Sequence, residues 1–313
     1  MAGNPSPPPR ASSAKTPLVV AIFGPTASGK TAVAELVADR LGGEVVSADS
    51  MQAYRGLPIL TAQPERPTRL VGVWPLSHAG SVGEYAALAH AAIDELVAEG
   101  RTPVVAGGTG LYLRGALANL EIPPVAPRRA RWERIYDRLG GERTHAALTR
   151  RDPDAAARIH PNDRRRVVRA LELTELGSQL PPGERLWTED TRWPTAVFGL
   201  ELPRELLAAR IEQRAQAMFD AGVEAEVGAA LRIGPSPTVA HALGLREIAS
   251  LPSREALDAL VVRTRRYAAY QRKWMRRVPG LVSVDADRPS DEIADEIVEV
   301  ARARQRLPAG RAG

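Results

Sequence analysis

The sequence predicts an α/β fold, in which a parallel sheet is flanked by helices and interrupted by an inserted all-helical unit. Short apolar, β-rich runs alternate with segments of helical periodicity, and strands that alternate with helices pair in parallel. A Gly-rich loop stands between the first such strand and the first helix, and the middle of the chain is Arg-rich with helical spacing. A chain of 313 residues is long enough for a large core, because it buries roughly three quarters of its unfolded surface.

The first 120 residues contain a tail followed by alternating elements. Residues 1–16 are rich in Pro, Ser and Ala without apolar periodicity, so we expect a disordered tail. Residues 17–120 form the first part of the predicted catalytic core. The spacing predicts strands at residues 18–23, 44–48 and 102–106, and helices at 31–41 and 81–99.

Residues 121–194 form the predicted helical insertion. Three prolines open it (Pro123, Pro124 and Pro127), and the pattern that follows is helical to about residue 179. The core then resumes over residues 195–300, with a strand at 195–202 and long helices at 204–231 and 254–277. Residues 301–313 are polar and contain Gly and Pro, so we expect a second loose tail.

The composition excludes several kinds of site. The chain has no cysteine, and its five histidines never reach the helical i, i+4 spacing of metal ligands, which excludes thiolate nucleophiles and Cys-based or paired-His zinc sites. The longest uncharged stretches run about 14 residues, shorter than the roughly 18 that a spanning helix needs, and the N-terminus lacks the layout of a signal peptide. The sequence therefore predicts a soluble, cytoplasmic protein that does not engage a membrane.

Positive charge is concentrated in one segment. The whole chain carries +5, but residues 121–169 hold 13 Arg and 7 acidic residues, a net +6 that leaves the remainder slightly acidic. Such a segment suits a polyanion, because Arg binds phosphates in fixed geometry and displaces counterions; a solvated helical face would have the same composition. The chain keeps only three lysines (Lys15, Lys30 and Lys273), so a retained lysine is a candidate for a chemical role.

The segment GPTASGKT matches the phosphate-binding motif GxxxxGK[ST] and stands between a buried strand and a helix start, as that motif requires. The match specifies a P-loop NTPase-like sheet. Backbone N–H groups of such a loop hold phosphate oxygens, Lys30 adds a positive charge and the Thr31 hydroxyl can ligate Mg²⁺. The motif comprises Gly24, Pro25, Thr26, Ala27, Ser28, Gly29, Lys30 and Thr31. The bound phosphates can belong to a nucleotide or to another diphosphate.

Asp49 follows the second predicted strand, where open α/β sheets place their ligands. It could act through a magnesium ion, as a general base for an incoming nucleophile, or only as a structural cap. The next strand along the chain ends in Gly107, Gly108 and Thr109 instead of a carboxylate, which disfavours an ATPase.

Six segments together resemble the tRNA dimethylallyltransferases, or tRNA isopentenyltransferases, in order and spacing over about residues 18–285. The segments are GPTASGKT at 24–31, SADSMQAY at 47–54, AGGTGLYLRGAL at 106–117, HPNDRRRVVRALEL at 160–173, RIEQRAQAM at 210–218 and RTRRYAAYQRKWMRR at 263–277. The resemblance implies transfer of the dimethylallyl group of dimethylallyl diphosphate to N6 of the adenosine just 3′ of the anticodon, in tRNAs that read codons beginning with U. It also implies that the helical insertion embraces the anticodon stem-loop and that the protein is a monomer.

The resemblance also implies roles for single residues. Residues 26–31 would hold the diphosphate with Mg²⁺ bound at Thr31, Asp49 would take the N6 proton, and Arg214 would neutralise the leaving pyrophosphate with Arg210 in support. The positions that correspond to tRNA contacts in the family are Asp49, Ser50, Met51, Gln52, Thr109, Arg131, Arg165, Arg166, Val167, Val168, Arg169, His241 and Arg246.

This chain departs from the family pattern at several positions and leaves other functions open. Gln63 stands where Lys is common, and Trp74-Pro75-Leu76 replaces a His-His-Leu. Arg165 replaces a common Gln, and Tyr270 and Lys273 also depart from the pattern. The alternatives are an isopentenyltransferase acting on free adenine nucleotides, a P-loop kinase of a small metabolite, and a noncatalytic RNA-binding module with a vestigial phosphate loop.

Overall fold

The computed structural model describes residues 17–119, 129–178 and 190–306. The expected N-terminal tail, the prolines that open the insertion and residues 307–313 lie outside the described residues.

A single five-stranded parallel sheet forms the centre of the molecule, as the sequence predicts. Its strands are β1 (Val19–Phe23), β2 (Gly43–Ser47), β3 (Thr102–Gly107), β4 (Thr195–Glu201) and β5 (Val282–Asp285). They pair in the order β2-β3-β1-β4-β5. Val20 of β1 pairs with Val104 on one side and with Ala196 on the other, which places β1 at the centre. The carboxyl ends of all five strands therefore meet at one edge, and β1 delivers the phosphate loop to the middle of it.

The described residues contain twelve α-helices and a short 3-10 helix at Val239–His241. The α-helices are α1 (Lys30–Leu41), α2 (Pro58–Thr61), α3 (Val82–Ala98), α4 (Gly110–Leu117), α5 (Arg129–Arg151), α6 (Pro153–Arg158), α7 (Arg164–Glu175), α8 (Arg204–Asp220), α9 (Val223–Ile233), α10 (Leu245–Ser250), α11 (Ser253–Met275) and α12 (Ser290–Arg306). The helix that the sequence predicts at 81–99 starts where Ser81 and Glu84 form a capping box.

Helices cover both faces of the sheet. Val20 and Ile22 of β1 belong to a core that includes α1 and α12, whereas Val19, Ala21 and Phe23 belong to a second core that includes α3, α4, α9 and α10. This division follows from the alternation of side chains along a strand. Helices α8 and α11 contribute to both cores, and each carries a side chain that contacts the phosphate loop or lies beside it, as described below.

Helices α5 to α7 have a core of their own. Trp132, Leu148, Val167 and Leu171 are among its buried residues. Helix α5 is interrupted at Gly140, whose φ of 79° is not helical. The chain has returned to the sheet domain by Arg192, whose guanidinium pairs with Asp94 of α3 at 2.8 Å. That return comes before residue 195, where the sequence analysis places the boundary.

The end of the chain differs from the sequence prediction in three ways. The helix expected at 204–231 is two helices, because Gly222 adopts a φ of 89° between α8 and α9. Strand β5 and helix α12 were not predicted. The expectation of a tail from residue 301 is wrong for its first part, because α12 continues to Arg306 and Ala301 is 1% exposed.

Within the part of the chain that the structure describes, every helix is too short or too polar to cross a membrane.

Candidate active site

The phosphate loop turns sharply between β1 and α1. Ala27 and Gly29 adopt φ angles of 64° and 87°, the left-handed conformation that lets consecutive backbone N–H groups converge on an anion. Helix α1 begins at Lys30 and has no acidic residue in its first turn, so the partial positive charge of its N-terminus is not neutralised locally. The local geometry is that of a binding site for phosphate oxygens.

Two hydroxyl groups of the loop suit a diphosphate. Ser28 is 1% exposed, and its hydroxyl has no hydrogen-bond partner among the described residues. A Cβ on Gly24 would lie 2.9 Å from that hydroxyl, so glycine keeps the space beside it open. Thr31 is exposed in the first turn of α1. A buried hydroxyl without a partner in the protein indicates a hydrogen bond to a bound ligand. A Thr hydroxyl beside bound phosphate oxygens suits Mg²⁺, because this ion takes few protein ligands and completes its coordination with oxygens of substrate and water.

The charge of Arg214 acts on Lys30 at this site, although the two residues are far apart in the sequence. The Lys30 ammonium donates a hydrogen bond to the Pro25 carbonyl at 2.7 Å. Burial and the Arg214 guanidinium of α8 lower the pKa of Lys30 to about 7, against the opposing effect of the Asp49 carboxylate. Burial also lowers the pKa of Arg214, and the charge of Asp49 opposes that shift. Arg210 lies one helical turn before Arg214 and is partly buried. Lys30, Asp49 and Arg214 therefore form one electrostatic cluster beside the loop.

Asp49 lies two residues beyond the end of β2, at the carboxyl edge of the sheet. Its Oδ1 atom accepts hydrogen bonds from the backbone N–H groups of Met51 at 2.9 Å and Gln52 at 3.4 Å. Its Oδ2 atom accepts no hydrogen bond from any described residue. One oxygen of the carboxylate is thus fixed by the backbone, while the other is available to accept a proton from a bound substrate.

Hydrogen bonds from three side chains, those of Ser47, Gln52 and Gln63, hold the segment around Asp49. The Gln52 amide donates to the Ala62 carbonyl at 2.9 Å, and the Ser47 hydroxyl donates to Oε1 of Gln52 at 2.8 Å. Gln63, one of the departures from the family pattern, donates to the Tyr54 and Gln52 carbonyls at 2.7 and 3.1 Å. Gln63 therefore stabilises the conformation of the segment that follows Asp49.

The loop after β3 packs directly on α11. A Cβ on Gly108 would lie 2.1 Å from Nε2 of Gln271, and one on Gly110 would lie 2.3 Å from the Trp274 ring. These contacts explain the glycines of the AGGTG segment. Between them, the Thr109 hydroxyl lies 3.3 Å from the hydroxyl of Tyr267. Burial raises the pKa of Tyr267 to about 12 with a contribution from the charge of Asp49, so its phenol stays protonated at neutral pH.

The charge of one arginine of the helical unit, Arg165, acts on a tyrosine of the sheet domain. Burial raises the pKa of Tyr112 on α4, and the positive charge of Arg165 on α7 opposes that rise. Arg165 itself is exposed. An Arg-rich helix therefore lies near the buried tyrosine of α4, close enough for its charge to act on it.

Most of the exposed arginines of the helical unit have no acidic partner. Within the described residues, the arginines of α5 to α7 that are exposed and have no carboxylate within ion-pair distance are Arg134, Arg138, Arg143, Arg150, Arg151, Arg158 and Arg165. Other arginines of the unit form ion pairs, as in the bidentate contact of Arg164 with Asp137 at 2.7 and 2.8 Å. The excess positive charge that the sequence analysis identified is thus displayed to solvent.

The thirteen positions implied to contact tRNA differ in exposure. Arg131, Arg165, Arg166, His241 and Arg246 are exposed, whereas Asp49, Ser50, Met51, Gln52, Thr109 and Arg169 are partly buried. Arg169 pairs with the buried Glu172 at 3.0 Å. The side chains of Val167 and Val168 are at most 1% exposed and pack inside the helical unit, so their part in any contact of this stretch is structural.

The segment 241–246 lies beside α2. A Cβ on Gly244 would approach Leu60 of α2 at 3.2 Å. The residue after α2 is Ala62, whose carbonyl accepts a hydrogen bond from the Gln52 amide of the Asp49 segment. Helix α2 therefore connects the two segments, and the exposed His241 and Arg246 belong to the same region of the surface as the Asp49 segment.

Sequence reasoning missed two residues of this site, Tyr267 and Gln271, although it identified the segment that contains them. Gln271 is 3% exposed, and its side chain contacts both the phosphate loop and the loop after β3. The available signal was periodicity: Leu260, Ala268 and Met275 mark the buried face of α11, and a glutamine on that face requires a specific partner.

Comparison with known proteins identifies the relatives of this chain. The IPP transferase family model matches residues 52–278, and the isopentenyl transferase model matches residues 17–69. A protein of Streptomyces coelicolor named tRNA dimethylallyltransferase is 43% identical over 277 residues, which cover 84% of this chain and 88% of that protein. A protein of the same name from Corynebacterium jeikeium is 38% identical over 285 residues, covering 86% and 92%. The solved structure of the full-length tRNA isopentenylpyrophosphate transferase of Bacillus halodurans is similar, with a TM-score of 0.68 at 32% identity, and covers 93% of this chain and 97% of that chain.

Proposed function

The chain belongs to the IPP transferase family, whose relatives are named tRNA dimethylallyltransferases, and from this premise we propose how its residues carry out the reaction. The enzyme transfers the dimethylallyl group of dimethylallyl diphosphate to N6 of adenosine 37 in tRNA, 3′ of the anticodon. The products are N6-dimethylallyladenosine and pyrophosphate. The family, the fold and the activity that the six sequence segments imply are thereby confirmed.

One observation carries the assignment of roles. A carboxylate with one unoccupied oxygen, Asp49, shares an electrostatic cluster with Lys30 and Arg214 beside a phosphate loop. An acceptor for a proton and two cations for a leaving anion are the groups that an alkyl transfer from a diphosphate to an amine needs.

We propose that Asp49 is the general base. The exocyclic amine of adenine is a poor nucleophile because its lone pair is conjugated with the ring, so a fixed carboxylate has to accept the proton as the C–N bond forms. The N6 nitrogen bonds to C1 of the dimethylallyl group, the allylic C–O bond breaks with its electron pair leaving on pyrophosphate, and the N6 proton passes to Oδ2 of Asp49.

The charge that develops on pyrophosphate is met by groups already in place. We propose that the diphosphate is bound by the backbone N–H groups of the loop other than those of Thr26 and Ser28, which donate to Gln271 and Pro25. The Ser28 hydroxyl, Lys30 and Arg214 complete the proposed site, and Arg210 lies one turn from Arg214. Cations and donors that are fixed before the reaction stabilise the transition state without having to reorganise.

We further propose that Thr31 holds Mg²⁺ together with oxygens of the diphosphate. When bound, the ion would neutralise diphosphate charge and so favour departure of the leaving group.

The proposed partner is the anticodon stem-loop, bound between the exposed arginines of α5 to α7 and the surface around Asp49. A base must leave its stack to reach a partly buried carboxylate such as that of Asp49, and RNA loops supply unstacked bases. We propose that the exposed side chains of Arg131, Arg165 and Arg166 contact tRNA phosphates, and that His241 and Arg246 contact the tRNA from the surface beside α2. We propose that the protein acts as a monomer in the cytoplasm.

A transfer assay with labelled dimethylallyl diphosphate and Mg²⁺ tests the choice of acceptor. Unmodified tRNA, AMP and ATP are offered in parallel, and the nucleosides are analysed by mass spectrometry. We expect label only in tRNA, on the adenosine beside the anticodon. Label on AMP or ATP would instead establish an isopentenyltransferase of free nucleotides, and transfer of the label to none of the three acceptors would contradict the proposed function.

A further inference from the structure

Helix α11 contacts two loops at the carboxyl edge of the sheet, the phosphate loop and the loop after β3. Its residues Tyr267, Gln271 and Trp274 lie three or four positions apart and so share one face of the helix. Tyr267 meets Thr109, Gln271 meets Thr26 and Gly108, and Trp274 lies where a side chain at position 110 would have to go. One helix face therefore touches both the phosphate loop and the loop after β3.

Gln271 joins these loops with a single side chain. Its Oε1 atom accepts a hydrogen bond from the backbone N–H of Thr26 at 2.8 Å, and its Nε2 donates to the Gly108 carbonyl at 2.8 Å. The residue is 3% exposed, so water cannot readily replace either contact. A planar amide that uses its acceptor on one loop and its donor on the other fixes the separation between them.

Gly108 is closely packed against both Gln271 and Gly24. Gly108 allows the Gln271 amide to reach its carbonyl only because it has no side chain, and the Gly24 carbonyl lies 3.1 Å from where a Cβ on Gly108 would be. The two loops are thus also in direct proximity to each other. A shorter side chain at 271 would reach at most one loop, and an apolar one would leave the Gly108 carbonyl and the Thr26 N–H without partners.

We propose that Gln271 is a positioning residue for the transfer reaction: it holds the diphosphate-binding loop in register with the loop that carries Thr109, and so sets the distance between the two reactants. The proposal rests on the proposed function in one respect, because it assigns the diphosphate to the first loop and the tRNA to the second. Both polar atoms of the Gln271 side chain are used on the two loops, so its proposed effect on the substrates is transmitted through those loops. A displacement of about 1 Å between reacting groups costs roughly 100-fold in rate, so a residue that sets this distance acts on kcat.

Gln271→Met tests the proposal, since methionine fills a similar volume without either hydrogen bond. The single-turnover rate should fall 10- to 100-fold, whereas the Kd for the anticodon stem-loop should change by less than about threefold. Hydrogen–deuterium exchange should accelerate in both loops, in peptides covering residues 24–31 and 107–110. Thr264→Val is the matched control, because Thr264 is a buried polar residue of the same helix two turns away. It should change the thermal stability of the protein without reducing the single-turnover rate.

Gln271→Glu separates positioning from packing. A protonated glutamic acid can accept from Thr26 and donate to Gly108, but a carboxylate cannot donate, and burial beside a carbonyl raises the pKa of the new carboxyl. The rate of this variant relative to wild type should therefore rise as the pH falls, whereas the relative rate of Gln271→Met should not depend on pH. The charged and ionisable groups on the neighbouring elements and on α11, namely Lys30, Asp49, Arg214 and Tyr267, are also present in wild type, so the ratio to the wild-type rate removes the pH dependence that both enzymes share.

The outcomes are distinct. A Gln271→Met enzyme with at least half of the wild-type rate, or unchanged exchange in both loops, would overturn the proposal. So would a pH-independent relative rate for Gln271→Glu, which also decides the matter if the methionine variant does not fold. Failure of the wild type to modify tRNA in the same assay would refute the proposed function instead, and the exchange data would still report on the connection between the loops.

Discussion

Gly108→Ala is the substitution for which the structure gives the clearest magnitude. The added Cβ would lie 2.1 Å from Nε2 of Gln271 and 3.1 Å from the Gly24 carbonyl oxygen, and contacts under 3 Å require one of the atoms to move. Gln271 would have to withdraw and would lose its hydrogen bonds to Thr26 and Gly108. Two lost hydrogen bonds, a buried carbonyl without a partner and the strain of overpacking together cost about 2–5 kcal/mol of the free energy of unfolding.

Urea unfolding and the single-turnover rate of transfer measure the two consequences. The unfolding free energy should fall by about 2–5 kcal/mol, which corresponds to a roughly 3–8 °C lower Tm for a chain of this size. The rate should fall by at least tenfold. Gly228→Ala is the matched control: a Cβ there meets only the end of the Arg232 side chain at 3.7 Å, and alanine is the better helix former, so the protein should be unchanged or slightly more stable. A Gly108→Ala protein within about 0.5 kcal/mol of wild type would refute the reasoning.

Three further predictions follow from the charges and hydrogen bonds of the site. Because burial and the charge of Arg214 lower the pKa of Lys30 to about 7 and a bound polyanion favours the ammonium form, pyrophosphate binding at pH 8.5 should take up about one more proton in wild type than in Lys30→Arg. Calorimetry in two buffers of different ionisation enthalpy measures this difference, and equal proton uptake by the two proteins would contradict it. The Glu226 carboxylate accepts hydrogen bonds from the first two N–H groups of α2 at 2.8 Å. Glu226→Gln should therefore lower the unfolding free energy by about 1–2 kcal/mol and slow transfer several-fold, and an unchanged midpoint in urea titration would contradict that role. Arg165→Gln should flatten the dependence of log K for the anticodon stem-loop on log salt by about 0.7–0.9 units of slope, whereas Arg302→Gln, on α12, should leave the slope unchanged.

Most of the sheet could be predicted from local patterns. The strands at 18–23, 44–48 and 102–106 are found within one residue, because each is a short apolar run bounded by Gly, Pro or a polar residue. Strand β5 lacked such a signal, since of its four residues only Val284 is buried. Gly222 sits inside a continuous amphipathic pattern, and periodicity alone does not reveal that its backbone turns left-handed.

The parts of the site that come from single segments were predictable, and those that come from pairs of segments were not. The phosphate loop and the place of Asp49 follow from strand ends that meet at one edge of a parallel sheet. The contact of Gln271 with Thr26 joins residues 245 positions apart, and no local rule indicates it. The roles of Thr31, Arg214 and the residues implied to contact tRNA remain predictions.

The most direct test of the proposed chemistry is the single-turnover transfer of the dimethylallyl group to a tRNA anticodon stem-loop by wild type and by Asp49→Asn. Asparagine keeps the shape of the side chain and can still accept the Met51 N–H, but its amide cannot take up the N6 proton. We expect a rate at least 100-fold lower, a Kd for the stem-loop within about threefold of wild type, and pyrophosphate binding that is no weaker than in wild type, since the substitution removes a negative charge near Lys30 and Arg214. Product should form only on adenosine 37 in the wild type. An Asp49→Asn enzyme that transfers the group within a few-fold of the wild-type rate would contradict the assignment of Asp49 as the base.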